Sequence, residues 1–170
     1  MNKIMKKVLL SVLTLLAIGL YAIQTAEAQS NVKLYDPSLD GMKQIREAVA
    51  QAKKSGKHVF IQYGGNWCPW CIKFDAFVKS DTGLTRIINQ HYVPVKLNYD
   101  QTNRNYEANE YLGNPIRFGF PVFIILNGDG KVLHIQDSAL LEEGEGYNRQ
   151  KVYSFLNNWT PSAIIPVRKQ

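Results

Sequence analysis

The chain has 170 residues, 20 Lys and Arg against 14 Asp and Glu, a net charge of +6, 45% apolar residues and two cysteines. Such a composition excludes a disordered chain and a small disulfide-stapled one. The basic residues are scattered and form no stripe, which argues against nucleic acid as a partner.

Lys3, Lys6 and Lys7 precede the apolar run 8–23, and Ala26-Glu27-Ala28 follows with a small-x-small form. These are the three parts of a secretory signal peptide in order. An uncleaved anchor is the alternative. Against it stand Ser11, Thr14 and Gly19 within the run, and a length short of the ~20 residues that span a bilayer comfortably. No cysteine follows the run, so lipid attachment at a new N-terminal Cys is not available. Residues 1–28 are thus expected to be a signal peptide and 29–170 one domain, periplasmic or secreted, without stable membrane insertion. Cleavage leaves 142 residues, enough for a real core, and removes three Lys and one Glu, so the net charge falls to +4.

Asn31 to Pro37 reads as an arm in which Val32, Leu34 and Tyr35 dock on the body. A helix follows: Ser38 or Asp40 caps it, Met42, Ile45, Val49 and Ala52 keep a three-to-four spacing, and Ser55-Gly56 stops it. Lys57 to Tyr63 is a strand whose apolar run Val59-Phe60-Ile61 suits burial on both faces. It passes through Gly64 and Gly65 into Trp67-Cys68-Pro69-Trp70-Cys71, after which Ile72, Phe74, Phe77 and Val78 carry helical spacing. Beyond a break at Ser80-Asp81, Leu84, Ile87 and Ile88 mark another helix into His91. Tyr92 to Tyr99 alternates as a strand, and the strand–helix–strand crossover makes it a parallel neighbour of the first. Asn103 to Leu112 is predicted helical, Asn114 to Gly119 a loop, and Val122 to Leu126 a buried strand. Asn127-Gly128-Asp129-Gly130 is a hairpin turn to an antiparallel partner over Lys131 to Gln136. Ser138 to Tyr147, with Glu142, Glu143 and Glu145, reads as a solvated loop. Asn148 to Trp159 reads as a closing helix before Pro161 and Pro166.

The chemistry of the chain gathers at Cys68 and Cys71. Neighbours three residues apart close almost no chain, and the sequence holds no other thiol, so stapling is not their use. The pattern puts Cys68 at a helix N-terminus and Cys71 one turn inside. There the dipole and the unpaired backbone N–H groups favour a thiolate and lower the thiol pKa into the range of roughly 3.5–7.5 that such motifs show. Cys68 is therefore the attacking sulfur, and Cys71 resolves the mixed disulfide it forms. Pro69 fits the first turn, where its missing N–H is not needed.

The order of elements, Trp67-Cys68-Pro69-Trp70-Cys71, the run Lys96-Leu97-Asn98 with Asp100-Gln101, and Phe120-Pro121 at the head of the late strand together resemble the thioredoxin superfamily over Lys57 to Trp159. The early helix, the Phe-Gly-Phe-Pro run and the acidic stretch look like exported bacterial thioredoxin-like proteins. The resemblance implies an α/β thioredoxin fold: a central mixed sheet flanked by helices, with an N-terminal helical extension. It also implies a cis Pro121 beside the disulfide, a substrate groove at the Phe120 backbone, and Trp67 on the active-site surface. Protein thiols or disulfides would be the substrates, with a separate electron donor or acceptor and no bound cofactor beyond the Cys68–Cys71 disulfide.

Two positions depart from that pattern. Thioredoxins carry a buried acid six residues before the first cysteine, and here Gln62 stands there; an amide cannot act as a base, so resolution is expected to be slower and to quicken with pH. The central Pro-Trp is closer to glutaredoxins, with no clear glutathione-binding pattern to match. Asp75, one turn after Cys71, is the nearest acid in sequence and is expected on the solvent face.

Plainer readings stand beside these. Trp70 contacts substrate or merely covers loop atoms; Lys96 tunes the site near Gln62 or reaches solvent; Phe118 and Phe120 line a peptide groove or fill core. Tyr99, Tyr106 and Tyr111 are expected to pack, since no basic cluster accompanies them. Zinc lacks two further ligands, because His58, His91 and His134 have no ligand spacing. A copper-handling thiol protein, and a thioredoxin-fold binding module without redox turnover, remain the alternatives from other classes.

Overall fold

The computed structural model describes residues 33–165. The expected signal segment, Val32 and Pro166 lie outside those residues. Among the described residues, no helix is long and apolar enough to cross a membrane.

Helix α1 (Gly41–Ser55) begins where Asp40 accepts the Lys43 N–H at 2.8 Å and ends at Gly56, which takes φ 66°. Of the two candidate caps it is Asp40 that acts, and the left-handed terminus needs glycine there. Strand β1 (His58–Gly64) is buried at every residue. It pairs parallel with β2 (Tyr92–Asn98) in a register running from His58 opposite Tyr92 to Gly64 opposite Asn98. On its other side β1 pairs antiparallel with β3 (Val122–Leu126), which pairs antiparallel with β4 (Val132–Asp137). The sheet order is β2-β1-β3-β4. Between β1 and β2 run α2 (Pro69–Ser80) and α3 (Thr82–His91), the break between them capped by Asp81.

Alternation along the strands divides the core in two. Val59, Ile61, Tyr63, Val95, Leu97, Val122 and Ile124 face α1 and the short helix α4 (Tyr106–Tyr111). Phe60, Phe123 and Ile125 face α2, α3 and the closing helix α5 (Arg149–Asn158), meeting Phe74, Leu84, Ile88, Val152 and Phe155. Gln62 shares the parity of Phe60. It is thereby carried under α2, at the end of the sheet where β1 and β2 stop together.

Three stretches differ from the sequence reading. The helix predicted from Asn103 starts only at Tyr106, because Asn105 takes a left-handed φ of 49° and its side chain ties Asn98 to Gly41 instead of capping. The loop 114–119 holds one 3₁₀ turn, Pro115–Phe118. The stretch 138–147 is not a solvated loop. A 3₁₀ turn, Ser138–Leu141, leads into the small hairpin β5 (Glu142–Glu143) and β6 (Gly146–Tyr147), and Leu141 and Tyr147 are buried in the α2-side core. Glu143 and Glu145 are exposed while the apolar side chains of Leu141 and Tyr147 anchor the segment, a pattern too sparse for periodicity to reveal. Tyr106 and Tyr111 are exposed, contrary to expectation; the first accepts from Arg104 and the second donates to the Gly130 carbonyl.

Candidate active site

Gly64 ends β1, and four residues later Cys68 caps α2 with extended backbone angles, φ −94° and ψ 105°. Cys68 and Cys71 form a disulfide with their Cα atoms 5.3 Å apart. The Cys68 sulfur accepts the Cys71 backbone N–H at 3.2 Å, so it occupies the place of an N-cap oxygen. Pro69 is the first helical residue, as its lack of a donor allows. Exposure does not separate the two thiols, since Cys68 is 3% accessible and Cys71 is fully buried. Position does: the helix terminus acts on Cys68.

Two aromatic groups border the disulfide. On one side Trp67, 57% exposed, donates its indole N–H to the Tyr99 carbonyl at 2.7 Å and stands edge-on to Phe120, ring centres 5.5 Å apart. Phe120 packs on the cysteine pair and on Tyr99, and the Phe120–Pro121 bond is cis. On the other side Trp70 meets Tyr147 edge-on at 5.5 Å, Lys73 lies 4.6 Å over its ring, and the Tyr147 hydroxyl donates to the Trp70 carbonyl at 3.2 Å. Phe118 is exposed beneath the Arg117 guanidinium and touches neither group.

Behind Cys71 lies a polar network. Gln62 donates through Nε2 to the Cys71 carbonyl at 2.9 Å and to the Tyr35 hydroxyl at 2.8 Å, and through Oε1 accepts from Lys96 at 2.6 Å. Lys96 also pairs with Asp75 at 2.7 Å, and Asp75 with Lys79 at 2.7 Å. Asp75 is therefore not on the solvent face: its side chain is 12% accessible and turned back toward β2. Burial alone would raise its pKa, but the two lysines outweigh burial and hold it below the usual carboxylate value. Burial lowers the pKa of Lys96, and Asp75 partly restores it. Gln62, Asp75, Lys79 and Lys96 border a cavity of about 300 Å³ beneath α2 and α3, with Phe60, Phe74 and Val78 among its apolar walls.

Tyr35 reaches this place from the arm. Asn66 accepts the Leu34 and Tyr35 N–H groups at 2.8 and 2.9 Å and donates to the Tyr35 carbonyl at 2.8 Å. One side chain in the loop before Cys68 thus fixes the arm against the site. The histidines stand elsewhere: His58 bonds the Trp159 carbonyl, and His134 stacks on the Trp159 ring. Among the described residues, no three His, Cys, Asp or Glu side chains gather as a metal cluster.

A family model described as thioredoxin-like matches residues 40–128. The chain belongs to the thioredoxin-like family. Disulfide bond reductase DsbH of Chlamydia pneumoniae is similar at 24% identity over 93 residues, covering 51% of this chain and 56% of that protein. The chain thus matches little more than half the length of that curated relative. A disulphide isomerase of Xylella fastidiosa superposes with a TM-score of 0.67 and 28% identity, over 75% of this chain and 97% of that one. The thioredoxin fold expected from the sequence, a mixed sheet with helices on both faces, is the fold observed.

The family match ends before β4, so the hairpin that supports Trp70 lies outside it. Of the residues singled out in the sequence, the structure brings Trp67, Cys68, Trp70, Cys71 and Phe120 together around the disulfide, and Gln62 and Lys96 together beneath it. Three further residues at the site escaped sequence reasoning. Tyr147 and Asn66 lie in apparent loops. Tyr35 was visible only as an apolar residue of the arm.

Proposed function

We propose that the chain is a thiol–disulfide oxidoreductase in which Cys68 attacks and Cys71 resolves. The observation that carries this reading is the Cys68–Cys71 disulfide at the start of α2, with the Cys68 sulfur holding the N-cap place and receiving the Cys71 N–H. After reduction that N–H and the helix terminus stabilise a Cys68 thiolate over the thiol. The thiolate attacks one sulfur of a substrate disulfide, a Cys68–substrate bond forms, and the other substrate sulfur leaves with the electron pair and takes up a proton. Cys71, having lost its proton to water, attacks the Cys68 sulfur. The internal disulfide re-forms and the second substrate thiol departs. Each cycle oxidises the cysteine pair by two electrons, and a separate thiol donor reduces it again. Run in reverse, the same steps oxidise substrate thiols. The names of the two similar proteins, a disulfide bond reductase and a disulphide isomerase, support this class of reaction.

In this reading Trp67, Phe120 and Pro121 border the groove that receives an extended polypeptide, Trp70 flanks it from the hairpin side, and Gln62, Lys96 and Pro69 tune the pair. The disulfide is the only redox group required. The Lys-rich start, apolar run and Ala-x-Ala of residues 1–28 support export to the periplasm or beyond, where disulfide substrates occur.

The test is a covalent trap. Cys71→Ala expressed in the host should accumulate protein partners bound through Cys68 that are released by reductant and absent from a Cys68→Ala, Cys71→Ala control. An empty trap, with Cys68 unreactive at neutral pH, would leave a binding module instead. Tight, stoichiometric copper binding by the reduced pair in place of exchange would favour the metal-handling alternative.

A further inference from the structure

Tyr35 packs in one buried cluster with Cys68 and Cys71, and the residue is 2% exposed. Gln62 fixes how it can bond. The Gln62 amide accepts from Lys96 through Oε1, so its nitrogen faces Tyr35, and the Tyr35 oxygen is the acceptor of that hydrogen bond. The proton of Tyr35 therefore points elsewhere, and with the disulfide formed it has no acceptor among the described residues, sulfur included. A buried hydroxyl with an undirected proton costs stability unless it finds a partner in some state of the protein.

The candidate partner is the Cys71 sulfur. A Cβ placed on Gly64 would collide with Cys71 Sγ and stand 3.0 Å from Tyr35 Oη, so sulfur and hydroxyl border the same space that only glycine leaves open. A disulfide sulfur is a poor acceptor, whereas a thiolate is a strong one. We infer that Tyr35 is the hydrogen-bond donor to the Cys71 thiolate in the reduced enzyme, supplied from the N-terminal arm and oriented by Gln62 in place of the missing carboxylate.

This rests on the oxidoreductase reading and adds to it the group that makes the resolving step possible without a base. Before attack the Cys71 proton passes to water. Tyr35 keeps its own proton and donates only a hydrogen bond, Cys71 bonds to Cys68, and the departing substrate thiolate takes a proton from water. Burial raises the Tyr35 pKa far above its ordinary value, so the phenol stays a donor throughout the working pH range. The charged or titratable groups that act on Tyr35 are Asp75 on α2 and Tyr147 on the hairpin, and Asp75 is in turn paired with Lys96 on β2 and with Lys79. The Gln62 amide stands between the Lys96 ammonium and Cys71.

Stopped-flow mixing of the reduced full chain with a symmetric aromatic disulfide that releases a coloured thiolate separates the two steps. Attack by Cys68 releases the first equivalent with a second-order rate, and resolution by Cys71 releases the second with a rate independent of concentration. In Tyr35→Phe the first phase should stay within about twofold of wild type, while the second slows about tenfold near neutral pH and its pH midpoint moves up. Replacing Tyr35 by fluorotyrosine, a stronger donor of the same shape, should move the midpoint down, and this arm stands even if the phenylalanine variant does not fold. Wild-type rate and midpoint in both variants would overturn the role, as would equal slowing of both phases with no change in midpoint. Absence of both phases in the wild-type protein would instead overturn the oxidoreductase reading, and the Tyr35 role with it.

Discussion

At the scale of single residues, the asymmetry between the two cysteines comes from backbone, because both sulfurs are buried. Cys68 sits where an N-cap oxygen would, and a thiolate there gains a charge-assisted bond from the Cys71 N–H that a neutral thiol makes only weakly. In the reduced protein, alkylation of Cys68 should titrate well below the unperturbed ~8.5 and outpace Cys71 at neutral pH. Faster labelling of Cys71 would reverse the two roles. Asp75 is the residue whose place most changes what substitution should do. Its carboxylate holds Lys96 and Lys79 at 2.7 Å each, and Lys96 in turn holds the oxygen of Gln62. Asp75→Asn should therefore destabilise the protein at pH 7 by on the order of 1 kcal/mol, a modest figure because Lys79 is solvated. The Asp75 pKa is depressed in the folded state, so its contribution is complete above the unfolded value and is lost as pH falls through the folded one. Urea midpoints of wild type and variant should accordingly converge as pH falls below the ordinary carboxylate range, where the Asp75 carboxylate takes up its proton in the folded state as well. A gap that persists at acid pH would point to packing as its cause.

At the scale of elements, the β5–β6 hairpin acts as a buttress for the first turn of α2. Tyr147 packs on Trp70, Phe74 and Phe77 and donates to the Trp70 carbonyl, while Lys73 on α2 bonds the Glu145 carbonyl across the gap. The two parts of that support separate by substitution. Tyr147→Phe removes only the hydrogen bond and should cost about 1 kcal/mol. Tyr147→Ala also empties a buried ring site and should cost about 3–5 kcal/mol. Chemical denaturation measures both. Trp70 fluorescence in the alanine variant should shift to the red as the ring loses its cover, with Trp67 and Trp159 replaced by Phe to isolate the signal. If alanine cost no more than phenylalanine, the hairpin would be a passive flap.

At the scale of the whole molecule, stability in acid is governed by carboxylates that the fold holds ionised. Hydrogen bonds from Thr102, together with the Asn103 N–H and the Asn98 amide, lower Asp100 to about 2. The Arg149 hydrogen bond and the helix cap lower Asp81, and Ser38 lowers Asp36. Each favours folding when charged, so the unfolded chain takes up protons first and stability falls as pH drops from about 4 toward 2. Asp100→Asn should flatten part of that slope while lowering stability at pH 7 by about 1 kcal/mol or less, since the side chain is largely solvated and screened. A set of urea titrations between pH 2 and 7 tests both statements. An unchanged slope in the variant would show that the Asp100 turn does not respond to protonation.

Much of the fold was legible from local pattern. Val59-Phe60-Ile61, the alternation from Val93 to Leu97 and the Asn127-Gly-Asp-Gly turn each report a period or a turn chemistry carried by neighbouring residues, and such signals survive without tertiary context. Trp67 to Cys71 likewise marks its own helix start. Tertiary structure alone decided what meets the sulfurs from behind. Asp75 looked solvent-facing because its helix neighbours allow it, and two lysines, one on a separate strand, draw it in. Tyr147 looked like part of an acidic loop, and a ring 77 residues away gives it a core. Tyr35 looked like a docking residue of the arm, and Asn66, 31 residues on, turns it to the cysteine pair. Periodicity registers contacts made within one element. A polar group recruited across the sheet leaves no period, because its partners are set by how β1, β2 and α2 stack and not by the spacing of residues along any one of them.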